Sequence, residues 1–280
     1  FLVSGNHHSR DAGVELRRSL EAYPGVKFTL SEPLLVYPGF YDLIASRVGG
    51  ELHNGRHFRD SGLEIERESF EIVDRHLAGL VVSGGERQVV RRVVHATADP
   101  ELGRTMVFHP QAVTAALAAL RQGRDVLADV NMVAAGIDGR RVQQMGGRVV
   151  CALARMRLAG TPQEPGLTRT QAAMREMLQS SPEAVVAVGN APTALLEVVE
   201  AIAAGRAAPP VVVGVPVGFV GAAEAKERLE SSGVPFISNR GPRGGSPVAV
   251  AIVNALLRLA EAEGSPKGTL GLESNSLGGV

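Results

Sequence analysis

The chain has 280 residues, 45% of them hydrophobic and 21% charged, with Lys plus Arg equal to Asp plus Glu at 29 each. That much apolar material builds a sizeable core and excludes a disordered chain. Zero net charge removes the field that a nucleic-acid or anionic-membrane binder relies on, so any anionic partner must be met locally.

The length falls between one large domain and one domain with an appendage. The lone cysteine, Cys151, cannot form an internal disulfide, which suits a reducing compartment, and the cytoplasm is the expected location. No apolar run reaches the roughly 20 residues of a membrane span, and no basic-then-apolar leader opens the chain. The first residue is Phe1 rather than Met, inside the strand-like run Phe1-Leu2-Val3, so further sequence upstream is expected.

Residues 1–48 read as strand, polar helix and extended run, and 49–57, with Gly49-Gly50 and then His, Asn and Gly, read as a linker. A main domain over 58–263 follows, and 264–280, rich in Gly, Ser and Leu without period, reads as a flexible tail. Three helices are expected before the first strand of the main domain. The first has the capping box Ser61 with Glu64, and helical spacing puts Ile65, Phe70, Ile72, Val73 and Leu77 on one arc with Ser69 near its middle, facing inward. The second, about Glu86 to Thr97, carries its apolar stripe on Val89, Val90, Val93 and Val94, and His95 falls on the far side one turn after Arg91. The third starts at Pro110 and ends before Gly123.

From Gly123 onward short β-branched runs alternate with helical patterns. Strands are expected at Asp125–Val130, Arg148–Leu153, Ala184–Val188, Val211–Val215 and Val234–Ser238, and helices at Thr170–Gln179, Pro192–Ala204 and Ala222–Ser231. This order implies an α/β fold: an open, mainly parallel sheet with helices on both faces, preceded by the partial α/β segment at the amino end. Ligands of such sheets sit beyond the carboxyl ends of the strands.

Several motifs of catalysis do not occur. There is no G-x-G-x-x-G after a strand, no G-x-x-x-x-G-K-[ST] and no G-x-S-x-G nucleophile elbow. Cys151 lies in a predicted strand, away from any helix start that would activate it, and reads as a core residue. His53 and His57 have i,i+4 spacing, but the Gly and Asn between them argue against the helix a metal site would need there.

What the sequence does offer is anion chemistry. The turns Gly189-Asn190-Ala191-Pro192-Thr193 and Gly218-Phe219-Val220-Gly221-Ala222-Ala223 run from strand ends into helices, where free N–H groups take carboxylates or phosphates; packing alone would also account for their glycines. Arg169 stands between Thr168 and Thr170 at a helix start, where the macrodipole disfavours a cation, so either a bound anion compensates or the arginine is simply solvated. Arg240-Gly241-Pro242-Arg243-Gly244-Gly245-Ser246 adds two arginines and a glycine pair ahead of another helix. Spacing alone fits His95 to an ordinary surface histidine, and an imidazole, titrating near pH 6.5 when unperturbed, also suits acid catalysis near neutrality.

From about Ile65 to Leu259 the chain resembles the precorrin-8X methylmutase family. The resemblance rests on Ile65-Glu66-Arg67-Glu68-Ser69-Phe70, Arg92-Val93-Val94-His95-Ala96, the turn from Gly189 through Thr193 to Leu195, the run Val215 to Glu224 followed by Lys226, and Gly244-Gly245-Ser246. It implies a homodimeric α/β isomerase of cobalamin biosynthesis that moves a methyl group from C-11 to C-12 of precorrin-8X or cobalt-precorrin-8, with no cofactor and no metal. It further implies that His95 is catalytic, that Ser69 lies near the substrate, and that Arg169, Thr170, Asn190, Thr193, Arg240, Arg243, Gly244, Gly245 and Ser246 bind it. A family pattern of Arg-Gly-Arg before Gly-Gly-Ser here reads Arg240-Gly241-Pro242, with Arg243 one residue later, which puts the second arginine's role in question. The alternative from another class is a corrinoid carrier that keeps the fold without turnover.

Residues 1–48 resemble a different family, the carboxyl-terminal half of a small sirohydrochlorin cobaltochelatase, through Phe1-Leu2-Val3-Ser4-Gly5-Asn6-His7, then Asp11, and later Glu32-Pro33-Leu34-Leu35. That family adds a second histidine from an earlier strand, which this chain does not carry, so His7 would serve a metal only if that half were complete.

Overall fold

The structure is a computed structural model and describes residues 62–159 and 166–264. The chelatase-like segment, the linker, Ser61 of the capping box, and the tail from residue 265 lie outside these residues.

Two helices, α1 (Gly62–His76) and α2 (Gly84–Thr97), lead into the short α3 (Pro100–Arg104) and the strand β1 (Met106–Phe108). Then come α4 (Ala112–Arg121), β2 (Val126–Ala128), α5 (Asn131–Gly136), α6 (Gly139–Gln144), β3 (Val149–Cys151) and α7 (Ala152–Ala159). The rest is α8 (Arg169–Ser180), β4 (Val185–Val188), α9 (Pro192–Ala203), β5 (Val212–Gly214), α10 (Ala222–Glu230), β6 (Phe236–Asn239) and α11 (Ser246–Gly264). The sheet order is β1-β6-β5-β4-β2-β3. All pairings are parallel except β1 with β6, where Met106 lies opposite Asn239 and Phe108 opposite Ile237.

Both faces of the sheet are covered, because alternate strand residues enter different cores. Val126, Ala128, Val185, Ala187 and Val213 pack with residues of α2, α4 and α11 on one side. Leu127, Val186, Val188 and Val212 pack with α8, α9 and α10 on the other. The valine stripe of α2 is divided in the same way: Val89 and Val93 join the sheet core, and Val90 and Val94 receive Val73 of α1 and Leu77 just past its end. Helix α1 therefore lies on α2 as an outer layer. A complete capping box, Ser83 with Glu86, starts α2.

Several expectations need correction. β1 and α3 have no counterpart among the expected elements. The third helix starts at Ala112 rather than Pro110. Strand β3 ends at Cys151, where α7 begins at once, and Cys151 is half-buried at that strand end rather than enclosed in the core. Helix α11 extends to Gly264, into the start of the expected tail. Phe70 and Val73 on α1 and Leu77 just past its end are buried, but Ile65 is 49% exposed and Ile72 38%, because α2 covers only one side of that arc.

Candidate active site

Ser69 sits on the boundary between the buried and exposed parts of α1, and its hydroxyl lies 2.8 Å from Nδ1 of His95 on α2. The hydroxyl donates to Nδ1 when the neutral ring carries its proton on Nε2, and accepts from Nδ1–H in the other tautomer or the imidazolium; in each state Nε2 is left for another partner. The Phe70 ring stacks on the imidazole, with centroids 4.7 Å apart and planes 28° from parallel. The guanidinium carbons of Arg91 and Arg92 lie 4.1 and 4.5 Å from the same phenyl centroid. Asp74 holds Arg91 at 2.9 Å, and Glu66 holds Arg92 at 2.5 Å. Hydrogen bonding and the charge of Arg92 together keep the Glu66 carboxyl below its ordinary range, against the opposing effect of burial. His95 is therefore not a surface histidine: α1 covers it and fixes both ring plane and one nitrogen.

The carboxyl end of α2 reaches the carboxyl rim of the sheet. Asp99, which caps α3 through its bond from Leu102 N at 3.0 Å, also forms an ion pair with Arg243 beyond β6. The backbone N–H of Arg240 donates to the Thr105 carbonyl at 2.9 Å. Arg240 itself is mostly exposed and meets Glu230 of α10 at 3.6 Å. Both arginines of this turn thus already have carboxylate partners within the chain.

A second cluster forms where α8 and α9 begin. Thr168 caps α8 by accepting from Gln171 N, and its hydroxyl lies 2.8 Å from that of Thr193 and 3.3 Å from that of Thr170. Exposed Arg169 stands between Thr168 and Thr170 in sequence. The two helix starts are brought together by Glu197 of α9, which is fully buried and bonded to Arg175 of α8 at 2.9 and 2.7 Å and to Arg206 at 3.4 Å. Burial alone would raise the Glu197 carboxyl, but bonds and charges from Arg175 and Arg206 outweigh it and hold the group below its usual range.

The turn from Gly189 to Ala191 behaves differently from the expectation. Its N–H groups do not await an anion, because the carboxylate of buried Asp129, just past β2, accepts from Gly189, Asn190 and Ala191 at 3.3, 2.8 and 2.9 Å. Burial pushes the Asp129 carboxyl above the usual range despite these bonds. What this turn presents outward is the exposed Asn190 side chain and the Thr193 hydroxyl.

The Gly-Gly-Ser motif also faces inward. A Cβ on Gly244, at φ 151°, would run into the Val215 carbonyl oxygen, and the Gly245 N–H donates to that carbonyl at 2.8 Å. Ser246 is buried at the start of α11. These three residues shape the turn that carries Arg240 and Arg243, and the Gly245 amide is already taken by the Val215 carbonyl. In the turn before α10, Gly218 N–H donates to the Pro242 carbonyl at 3.0 Å. Exposed apolar side chains stand on the same rim: Met132 after β2, and Val217, Val220 and the fully exposed Phe219 after β5.

Asp129, Asp99 and Glu230 hold the site together from outside the motifs described above, and Lys226 does so from within one of them. An acid within the otherwise apolar stretch Val126–Val130, as Asp129 is, is the available sequence signal.

The layout is that of an α/β enzyme with one oriented histidine and a rim of arginines, hydroxyls and apolar side chains. A family model of precorrin-8X methylmutase matches residues 64–259. The cobalt-precorrin-8 methylmutase of Priestia megaterium is 41% identical over 210 residues, which is 74% of this chain and 93% of that protein. The precorrin-8X methylmutase of a Sinorhizobium species is 40% identical over 204 residues, 72% of this chain and 96% of that protein. The crystal structure of the precorrin-8X methylmutase from Thermus thermophilus matches with a TM-score of 0.66 at 42% identity, covering 72% of this chain and 99% of that one. The chain belongs to the precorrin-8X methylmutase family, isomerases of cobalamin biosynthesis.

Proposed function

We propose that the chain moves a methyl group from C-11 to C-12 of precorrin-8X or cobalt-precorrin-8, giving hydrogenobyrinic or cobyrinic acid, with His95 as proton donor. The observation that carries this reading is the Ser69–His95 bond beneath the Phe70 stack, which orients the imidazole and leaves Nε2 to meet a ring nitrogen. A proton placed there favours the rearranged conjugation as the methyl group migrates. The group never leaves the molecule, so the reaction calls for no cofactor.

The substrate is a flat apolar ring edged with acetate and propionate carboxylates. Arg169, with the Thr168, Thr170 and Thr193 hydroxyls, suits one part of that edge, and Arg240 and Arg243 suit another. Asn190 adds an amide between them, and Met132, Val217, Phe219 and Val220 suit the ring face. Among the described residues no helix is long and apolar enough to cross a membrane. We read the enzyme as a homodimer, as the family resemblance implies, and as cytoplasmic, since its lone cysteine suits a reducing compartment; sedimentation velocity checks the dimer.

The deciding experiment mixes the protein with an excess of precorrin-8X, and separately of cobalt-precorrin-8, while the absorption spectrum is followed. Conversion of the excess is the expected result, and the faster of the two reactions identifies the natural substrate. A spectral shift that stops at one equivalent in both would make the chain a corrinoid carrier instead.

A further inference from the structure

Lys226 of α10 is 1% exposed, and no carboxylate among the described residues pairs with its ammonium. A methionine would fill similar space without the cost of an uncompensated buried charge. What the lysine adds is direction. Its Nζ donates to the Arg243 carbonyl at 2.7 Å and lies 3.4 Å from Oδ1 of Asn239. The Asn239 amide donates to the same Arg243 carbonyl at 2.7 Å and to the Arg240 carbonyl at 3.3 Å. One turn further along α10, Glu230 holds the Arg240 guanidinium. Helix α10 therefore backs the whole arginine turn, gripping its main chain through Lys226 and a side chain through Glu230.

The grip matters because of what the turn carries. Gly218 fixes Pro242 from one side and Val215 fixes Gly245 from the other, so the Arg243 carbonyl is the point between them. Beyond that carbonyl, the Arg243 side chain reaches Asp99, four residues after His95. We propose that Lys226 is a positioning residue for the methyl shift, holding the Arg240–Gly244 turn so that Arg240 and Arg243 meet carboxylates of the corrinoid. This rests on the functional reading above.

The test compares wild type, Lys226→Met, Arg243→Ala and the double variant for KM, kcat, product affinity and thermal midpoint. Lys226→Met is expected to raise KM and the product Kd about tenfold, the equivalent of roughly 1.4 kcal/mol, with kcat nearly unchanged. Its midpoint should equal or exceed that of wild type, because a buried charge is removed. The double variant should lose less than the sum of the two single losses, since both changes disable Arg243 and only the first also loosens Arg240. Unchanged KM in Lys226→Met, additive losses in the double variant, a loss confined to kcat, or failure of Lys226→Met to fold would each overturn the proposal. If the wild type does not turn over, the functional reading fails, and titration of hydrogenobyrinic acid into the four proteins still decides the role of Lys226.

Discussion

The Ser69 hydroxyl and His95 Nδ1, 2.8 Å apart, join two helices at points 26 residues apart in sequence. Since the bond occupies one ring nitrogen and Phe70 covers the ring, the two changes His95→Ala and Ser69→Ala should have unequal effects. The first removes the proton donor and should lower kcat by about 10²- to 10⁴-fold with product binding largely retained. The second removes only orientation and should cost about tenfold in kcat, on the scale of one net hydrogen bond. Turnover of His95→Ala within about tenfold of wild type would end the acid role.

Arg169→Ala tests the hydroxyl cluster. An exposed cation at the first position of α8 opposes the helix macrodipole, so its replacement should leave stability unchanged or slightly improved. Product binding should weaken by about 1.5–3 kcal/mol at low salt, and the difference should shrink as salt is raised. Calorimetric titration giving equal dissociation constants at low salt would remove Arg169 from the site.

Asp99→Asn separates two jobs of one carboxylate. Asparagine caps a helix as well as aspartate does, so α3 should persist, but Arg243 loses its internal counter-charge. Freed for the substrate, Arg243 should lower KM by about two- to fivefold, in keeping with a half-exposed pair worth roughly 0.2–1 kcal/mol. A rise in KM would mean that Asp99 holds Arg243 in its working pose instead of competing for it.

Lys226 gives the protein an alkaline signature. Burial lowers its pKa from 10.5 to about 8. Below pH 8 the folded chain carries the buried charge, which costs about 3 kcal/mol. Between pH 8 and 10.5 the unfolded chain binds more protons than the folded one, so this group's contribution rises with pH. The stability of wild type relative to Lys226→Met, from urea midpoints, should therefore increase from pH 7.5 to pH 10. A difference independent of pH would show that the ammonium titrates normally.

The parts of this fold legible in the sequence are those fixed by local period. Val89, Val90, Val93 and Val94 mark the buried side of α2 whatever packs against it, and all four are buried. The strands from β2 to β6 follow from β-branched runs between helical stretches, and only their ends differ. Other features depend on partners far along the chain. β1 has three half-buried residues without alternation, and its reversed pairing with β6 is a tertiary choice. The apolar arc of α1 includes Ile65 and Ile72 because a sequence cannot state how wide the covering helix is. At the site, motifs pointed to His95 and Ser69 separately, but their contact depends on how α1 crosses α2. Asp129 was invisible as a binder of three amides because the amides it serves lie 60 residues and more away.

The reversal of β1 decides which ends of the chain can meet. In a parallel strand the segment that enters and the segment that leaves stand at opposite rims, here about 10 Å apart for three residues. Had β1 run with its neighbours, α2 and α3 would have fed into the amino rim, and Asp99 could not have reached Arg243. Because it runs against them, residues that precede one strand share a rim with residues that follow the others. The fold thereby draws on both directions of the chain at a single edge, and an acid that follows an entering helix pairs with an arginine on a loop that leaves the sheet.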